Sequence, residues 1–213
     1  MKKIILFMLL SLGLTAYAAG KYDAKTRKLL DEAVAMMTQH GGVSFNFLVI
    51  NQPNTPNQTR TSGSMDVDGR KFFLQSTEML SWYNGAQQWS MTPGDTEASL
   101  SEPSQAEQQS MNPTLLLQLY KKGFYYKMKE DKLSNGEQGY KIYLNADNKN
   151  QKIREMYVEI NKNKQLVRIS LREGKKNWMR IVLSNVKTGK RFDDNHFTFP
   201  QQNYPHVEII DIR

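Results

Sequence analysis

From Val43 onward, most of the chain alternates apolar and polar residues with a period of two. That is the pattern of strands with one buried face and one wet face. Val43, Phe45, Phe47 and Val49 alternate against Ser44, Asn46, Leu48 and Ile50. The same rhythm returns as Tyr140, Ile142, Leu144, as Met156, Val158, Ile160, as Val167, Ile169, Leu171 and as Met179, Ile181, Leu183. One earlier segment changes period. In Asp23 to Gln39 the residues Thr26, Leu29, Leu30, Ala33, Val34 and Met37 form a single stripe at helical spacing. Asp23 is its expected N-cap, and Gly41-Gly42 its stop.

Two dipeptides predict tight hairpins. Asn84-Gly85 and Asp68-Gly69 each lie between strand-like runs, where a type I′ turn needs two residues at positive φ. Two-residue turns at these positions would pair Tyr83 with Ala86, Trp82 with Gln87, Ser81 with Gln88 and Leu80 with Trp89. In the first hairpin they would pair Val67 with Arg70, Met65 with Phe72 and Asp66 with Lys71. One face of the second hairpin then carries Leu80, Trp82, Trp89 and Met91. In the first, Met65, Val67, Phe72 and Leu74 share a face. Read as one meander, the two put Leu80, Trp82, Trp89 and Met91 beside Met65 and Phe72.

Thr92 to Ser110 is polar, contains Pro93, Gly94 and Pro103, and reads as a long acidic surface loop. Asn112 to Gly123 reads as a short helix, with Asn112 as N-cap, Pro113 at N1 and Gly123 as stop. Leu115, Leu116, Leu119 and Tyr120 form its stripe, widened by Leu117. A helix this short and apolar must lie on an apolar surface, and the face of the two hairpins is its expected seat. The whole is a mainly β protein: one curved antiparallel sheet of about eleven strands, an unclosed half-barrel whose concave face is covered by helices.

Composition adds a compartment. Met1-Lys2-Lys3, the apolar run Ile4 to Leu14 and Ala16-Tyr17-Ala18 form a secretory leader. Residues 1–18 are expected to be removed, leaving 19–213 as a single domain. The chain has no cysteine, which excludes disulfides, thiolate metal sites and a lipidated cysteine anchor. The net charge of +8 is spread along alternating strands and not gathered into runs, so nucleic acid is not an expected partner.

Signals of catalysis are faint. His40-Gly41-Gly42 has no G-x-S-x-G elbow to serve, and His40, His196 and His206 lack metal-ligand spacing. Asp193 and Asp194 beside His196 fit a solvated turn, and Glu97 and Glu102 lack apolar surroundings that would raise a pKa. No metal, no cofactor and no enzymatic activity are expected. What remains distinctive is a set of aromatic and methionine side chains able to repack around different guests. Phe45, Phe47, Met65, Phe72, Leu80, Trp82, Trp89 and Met91, with Leu115, Leu116 and Leu119 as cover, are the candidate lining of an acyl-chain site.

The chain resembles the LolA-like family of periplasmic outer-membrane lipoprotein carriers. The resemblance runs in order through Val43-Ser44-Phe45-Asn46-Phe47, Gly63-Ser64-Met65-Asp66-Val67, Tyr83-Asn84-Gly85-Ala86-Gln87-Gln88-Trp89, Asn112-Pro113-Thr114-Leu115-Leu116 and Phe197-Thr198-Phe199-Pro200 before Val207. It implies a half-barrel lidded by helices, a hydrophobic cavity for lipoprotein acyl chains, and shuttling from inner to outer membrane. It also implies a lid latch, for which Arg70 in Asp68-Gly69-Arg70-Lys71 stands nearest, in place of the family's Lys-Arg-Pro. Expected partners are acylated lipoproteins, an inner-membrane exporter complex that the acidic Asp95 to Glu107 stretch would meet, and an outer-membrane acceptor. Membrane contact would be transient and the protein monomeric. The alternatives are a carrier of another envelope lipid or glycolipid, and a lipid-dependent envelope hydrolase.

Overall fold

The amphipathic stripe of the opening segment does become a helix. Helix α1 spans Ala24–Thr38 and buries Thr26, Leu29, Leu30, Ala33, Val34 and Met37, the residues of that stripe. Asp23 caps it by accepting from the backbone N–H of Lys25 (3.1 Å) and of Thr26 (3.2 Å) and from the Thr26 hydroxyl. These bonds hold the Asp23 carboxyl below its usual range. The structure is a computed structural model and describes residues 23–38, 41–53, 57–121, 123–174 and 177–213. The expected leader, residues 1–18, and His40 lie outside the described residues.

The strands that follow are β1 (Gly42–Gln52), β2 (Thr59–Asp68), β3 (Lys71–Ser76), β4 (Leu80–Tyr83), β5 (Gln88–Met91) and β6 (Glu97–Ser101). Two short helices, α2 (Gln105–Met111) and α3 (Pro113–Leu117), separate them from β7 (Phe124–Lys132), β8 (Gln138–Ala146), β9 (Ile153–Asn161), β10 (Leu166–Glu173) and β11 (Asn177–Lys190). Strand β12 (Glu208–Asp211) comes last. All twelve belong to one sheet, in the order β12-β6-β5-β4-β3-β2-β1-β11-β10-β9-β8-β7. Two antiparallel meanders are thus joined where β1 pairs with β11, and β12 adds a parallel edge to β6. The terminal strands β12 and β7 do not meet, so the sheet is an unclosed half-barrel.

One strand, β6, and one helix, α2, come from the stretch expected to be a loop. Ala98 is fully buried on β6, and Ser104 with Glu107 forms a capping box that starts α2. Both signals were short and sat in polar surroundings. The acidic residues therefore do not belong to one free loop: Glu97 is in β6, and Glu107 spends its carboxylate on the Ser104 backbone N–H (2.8 Å) and hydroxyl (2.6 Å).

Both hairpins form, but each is shifted by one position from the expected turn. The central pair of the first is Gly69-Arg70, with Asp68 opposite Lys71, Val67 opposite Phe72 and Met65 opposite Leu74. In the second, Tyr83 faces Gln88, Trp82 faces Trp89 and Leu80 faces Met91. In each, glycine occupies the first central position with positive φ, +60° at Gly69 and +102° at Gly85, as a type II′ turn requires. Asn84 flanks its turn instead of occupying it: its Oδ1 accepts from the N–H groups of Ala86 (3.0 Å) and Gln87 (2.9 Å). A register displaced by two residues preserves which side chains share a face. The expected Asp66–Lys71 pair is lost, and Asp66 instead meets His196 at 2.8 Å.

One glycine sets how closely β2 and β3 approach. A Cβ on Gly63 would collide with the Gln75 carbonyl oxygen and lie 2.9 Å from Cζ of Phe47. Gly63→Ala is expected to lower stability by about 2 kcal/mol through overpacking, measured as a shift in the urea unfolding midpoint. An unchanged midpoint would mean that β3 draws back from β2 at Gln75 without cost.

Candidate functional site

The sheet has two faces, and only one carries the helices. On this inner face Phe45 lies opposite Met65, Phe47 opposite Leu183, and Phe72 opposite both Val67 and Tyr83. Across the second meander the face continues through Leu171, Met156 and Leu144. Leu29, Leu30, Ala33 and Met37 of α1 join this one apolar cluster, as do Leu116, Leu117 and Tyr120 from α3 and the 3-10 turn Gln118–Lys121 that follows it. Leu30 and Leu117 have no exposed surface. The helices' own side chains therefore occupy the space expected to hold a guest.

Polar contacts position the helices over that face. Asn112 ends α2 and starts α3, its Oδ1 accepting from the Thr114 N–H at 2.9 Å, with Pro113 at the first helical position. The Tyr120 hydroxyl donates to Asp31 of α1, and the Arg27 guanidinium lies 5.4 Å from the Tyr120 ring centre. Burial, reinforced by the Asp31 carboxylate, raises the Tyr120 hydroxyl above its ordinary range. So α1 and the end of α3 act as one unit.

Helix α2 sits over a different surface. Beneath it the inner face of β4 and β5 is polar, with buried Ser81 and Gln88 beside Ser90. The Gln88 amide donates to the hydroxyls of Ser81 (3.0 Å) and Ser90 (3.1 Å) and reaches the Met111 sulfur at 3.5 Å. Arg70, at the tip of the β2–β3 turn, donates to Oε1 of Gln108 on α2 (2.7 Å) and to the Tyr83 hydroxyl (3.3 Å). The Tyr83 hydroxyl in turn donates to the Gly85 carbonyl (2.8 Å), and the Gln108 amide nitrogen donates to the Pro103 carbonyl (2.8 Å). One guanidinium thus links two hairpin turns to the helix above them.

Several expected lining residues do meet here. Phe45, Phe47, Met65, Phe72 and Leu116 are buried in the inner cluster, and Leu119 is packed against it. Leu115 is only half-buried. The other four were assigned to the wrong side of the sheet. Leu80, Trp82, Trp89 and Met91 lie on the outer face and form a second cluster with Ala98, Phe199 and Val207. The reason is the pairing of β3 with β4, which sets Phe72 against Tyr83 and Phe73 against Trp82. The apolar face of the β4–β5 hairpin is therefore continuous with Phe73, not with Phe72. The cover over Trp82 is the C-terminal segment, with Phe199 at 5.2 Å and Tyr204 at 5.9 Å between ring centres. Alternation along a strand gives relative facing only; the side that becomes interior depends on what arrives to cover it.

Tyr83 and Gln108 belong to the site and were not among the expected residues. The capping-box spacing of Ser104 and Glu107 was a readable hint of a helix that would carry Gln108. Tyr83 shares its strand face with the polar Ser81, Gln88 and Ser90, so no local apolar pattern marks it as buried. His196 is held by Asp66 and lies between the Phe192 (4.7 Å) and Phe73 (5.8 Å) rings, so it fastens the C-terminal segment to the sheet. No cluster of His, Cys, Asp or Glu that could hold a metal ion occurs among the described residues, and no described helix is long and apolar enough to cross a membrane.

Fold and site together define a class: an open half-barrel with an apolar face under short helices, one of them hydrogen-bonded to an arginine of the β2–β3 turn. The family model described as outer membrane lipoprotein carrier protein LolA matches residues 14–175, and the chain belongs to that family. Among solved structures it is similar to a LolA superfamily protein from Nitrosomonas europaea, at 10% identity over 81% of this chain and 97% of that one, with a TM-score of 0.43. It is similar to the lipoprotein LppX of Mycobacterium tuberculosis, at 15% identity over 78% of this chain and 99% of that one, TM-score 0.44. It is also similar to MucB of the Pseudomonas aeruginosa MucA/MucB complex, at 11% identity over 88% of this chain and 64% of that one, TM-score 0.45. The comparison with curated proteins finds no match.

Proposed function

We propose that this protein is a periplasmic carrier that takes the acyl chains of lipoproteins onto its inner face and shuttles them from the inner to the outer membrane. The observation that carries the reading is a short helix, α2, latched by one arginine beside a broad apolar face. An acyl chain in water costs roughly 0.8 kcal/mol per CH₂, so a carrier must cover it. A carrier must also let go. An inner face filled by its own leucines and tyrosines when empty opposes binding, because uptake must displace them, and so moderates the net affinity. On this reading α2 and α3, continuous through Asn112, form the lid, Arg70 is its latch, and Phe45, Phe47, Met65 and Phe72 are the surface exposed when Leu116 and Leu117 lift with it.

The carrier works without catalysis or cofactor, as an exported monomer. It receives acylated lipoproteins from an inner-membrane exporter complex and passes them to an outer-membrane acceptor. Mass spectrometry of protein purified from the periplasm is expected to find co-purified diacylated species, and the emptied protein is expected to take up a diacyl lipopeptide. A protein that is always empty and takes up no lipopeptide would overturn the reading, whereas an unrelated lipid in the spectrum would redirect it to that envelope lipid.

The latch has its own test. Arg70→Ala removes a charged hydrogen bond from Gln108, worth about 1.5 kcal/mol, and is expected to raise the open-to-closed ratio of α2 roughly tenfold. Stopped-flow transfer of a fluorescent lipopeptide should then be faster in both directions, with little change in the unfolding midpoint. Unchanged transfer rates would make the Arg70 contact a surface ornament of the turn.

A further inference from the structure

The outer face of the second meander is a surface that the carrier reading does not use. One row of side chains crosses it from strand to strand: Lys127, Tyr143, Tyr157, Ser170, Arg180, then Ile50 and Arg60. The adjoining row holds Tyr125, Asn145, Glu155, Arg172 and Trp178. The rings adjoin one another, with Tyr143 and Tyr157 at 4.9 Å and Tyr157 and Trp178 at 5.6 Å between centres. Tyr157 is 41% exposed and Tyr125 37%, while Tyr143 and Trp178 are half-buried. At the strand spacing of a sheet the first row spans about 29 Å.

Charge on this face has one sign left over. Each acidic side chain there is engaged: Glu155 with Arg172, Glu159 with Arg168, and Asp131 with Lys129 and Lys141. Among the described residues Lys127, Arg180 and Arg60 have no carboxylate partner. Aromatic rings flanked by uncompensated cations match the boundary between headgroup and acyl regions of a bilayer. Tyrosine and tryptophan rest there with the ring in the apolar zone and the polar edge in water, while lysine and arginine meet anionic headgroups. Neighbouring rings are tilted by 39° and 42°, so they do not make the flat platform that a stacked sugar chain needs.

We infer that the outer face of β7–β11 is a docking surface for an anionic phospholipid bilayer. The surface holds the protein flat against the membrane by Tyr125, Tyr143, Tyr157 and Trp178, with Lys127 and Arg180 drawing it down. Contact is reversible, since it rests on shallow rings and salt-screened charge.

The test is sedimentation of the full-length mature chain with vesicles. Binding is expected on vesicles containing phosphatidylglycerol, to fall on raising salt, and to be weak on phosphatidylcholine alone. The double variant Lys127→Glu with Arg180→Glu is expected to lower binding roughly tenfold or more; Tyr157→Ser should weaken it less. Trp82 and Trp89 are buried in the outer cluster beside the C-terminal segment, so quenching of tryptophan emission by brominated lipid reports on Trp178. Circular dichroism and lipopeptide uptake of the variants are measured in parallel. Normal uptake with lost vesicle binding supports the surface alone and leaves the carrier reading standing. Failure of the wild-type chain to bind anionic vesicles at low salt, or binding that both variants retain in full, overturns the proposal, the first in favour of a protein partner on this face.

Discussion

Trp82→Ala is expected to lower the unfolding free energy by about 3–5 kcal/mol while leaving lipopeptide uptake per folded molecule unchanged. The indole is 3% exposed and is enclosed by Phe73, stacked at 5.1 Å, and by Phe199 and Tyr204 of the C-terminal segment. Its removal opens a void between the sheet and that segment, and nothing local is large enough to fill it. The segment should loosen first, so limited proteolysis after Phe199 is expected to appear in the variant before global unfolding. Urea denaturation and an uptake assay decide the matter together. If uptake falls while stability holds, the tryptophan belongs to the guest site after all, and the division of the sheet into two apolar faces is wrong in function.

Glu159→Ala should be comparably severe, by a different mechanism. Glu159 sits on the outer face yet is 1% exposed, because the β7–β8 turn folds over it. Its carboxylate accepts from the Ser134 N–H (2.9 Å), the Ser134 hydroxyl (2.6 Å) and the Arg168 guanidinium (2.6 Å). Alanine leaves Arg168 charged, largely covered and without a counter-ion, which costs about 3–5 kcal/mol. Glu159→Gln keeps the shape and one carbonyl acceptor, and roughly half of that loss is expected. Equal losses for the two variants in urea titrations would mean that the charge carries the whole effect and that the retained shape and acceptor contribute nothing.

The two variants test surfaces of unequal legibility. For α1, every residue of the helical stripe was buried as read, since the stripe and its Asp23 cap are local and the sheet only had to accept them. The two glycine turns were also visible, although their register slipped by two residues because Asn84 and Asp68 flank the turns. Faces survived that slip, because parity did. Phe45, Phe47, Met65 and Phe72 were therefore placed together correctly. The helix carrying Leu116 was placed over them for the simple reason that so apolar a short helix has nowhere else to go.

Other features depended on distant chain. Trp82 and Trp89 looked like the richest part of a cavity wall, yet their cover is Phe199, Tyr204 and Val207, more than a hundred residues further on. The polar side of the same hairpin turned inward because Gln88, Ser81 and Ser90 can satisfy one another beneath α2. Arg70 illustrates the same point at a single residue. Its sequence context departs from the family's latch, but a turn one position displaced aims its guanidinium at Gln108.

By itself, then, the sequence determined most of the strands, the caps of α1 and α3, the turns to within one residue and the residues of each hairpin that share a face, because these follow from backbone conformation and side-chain period within a few residues. Tertiary structure alone decided the joining of β1 to β11, the inversion of faces between β3 and β4, and the meeting of Arg70 with α2. Each of those depends on which distant segment covers a surface, and the free energy of burial is indifferent to where in the chain that cover originates.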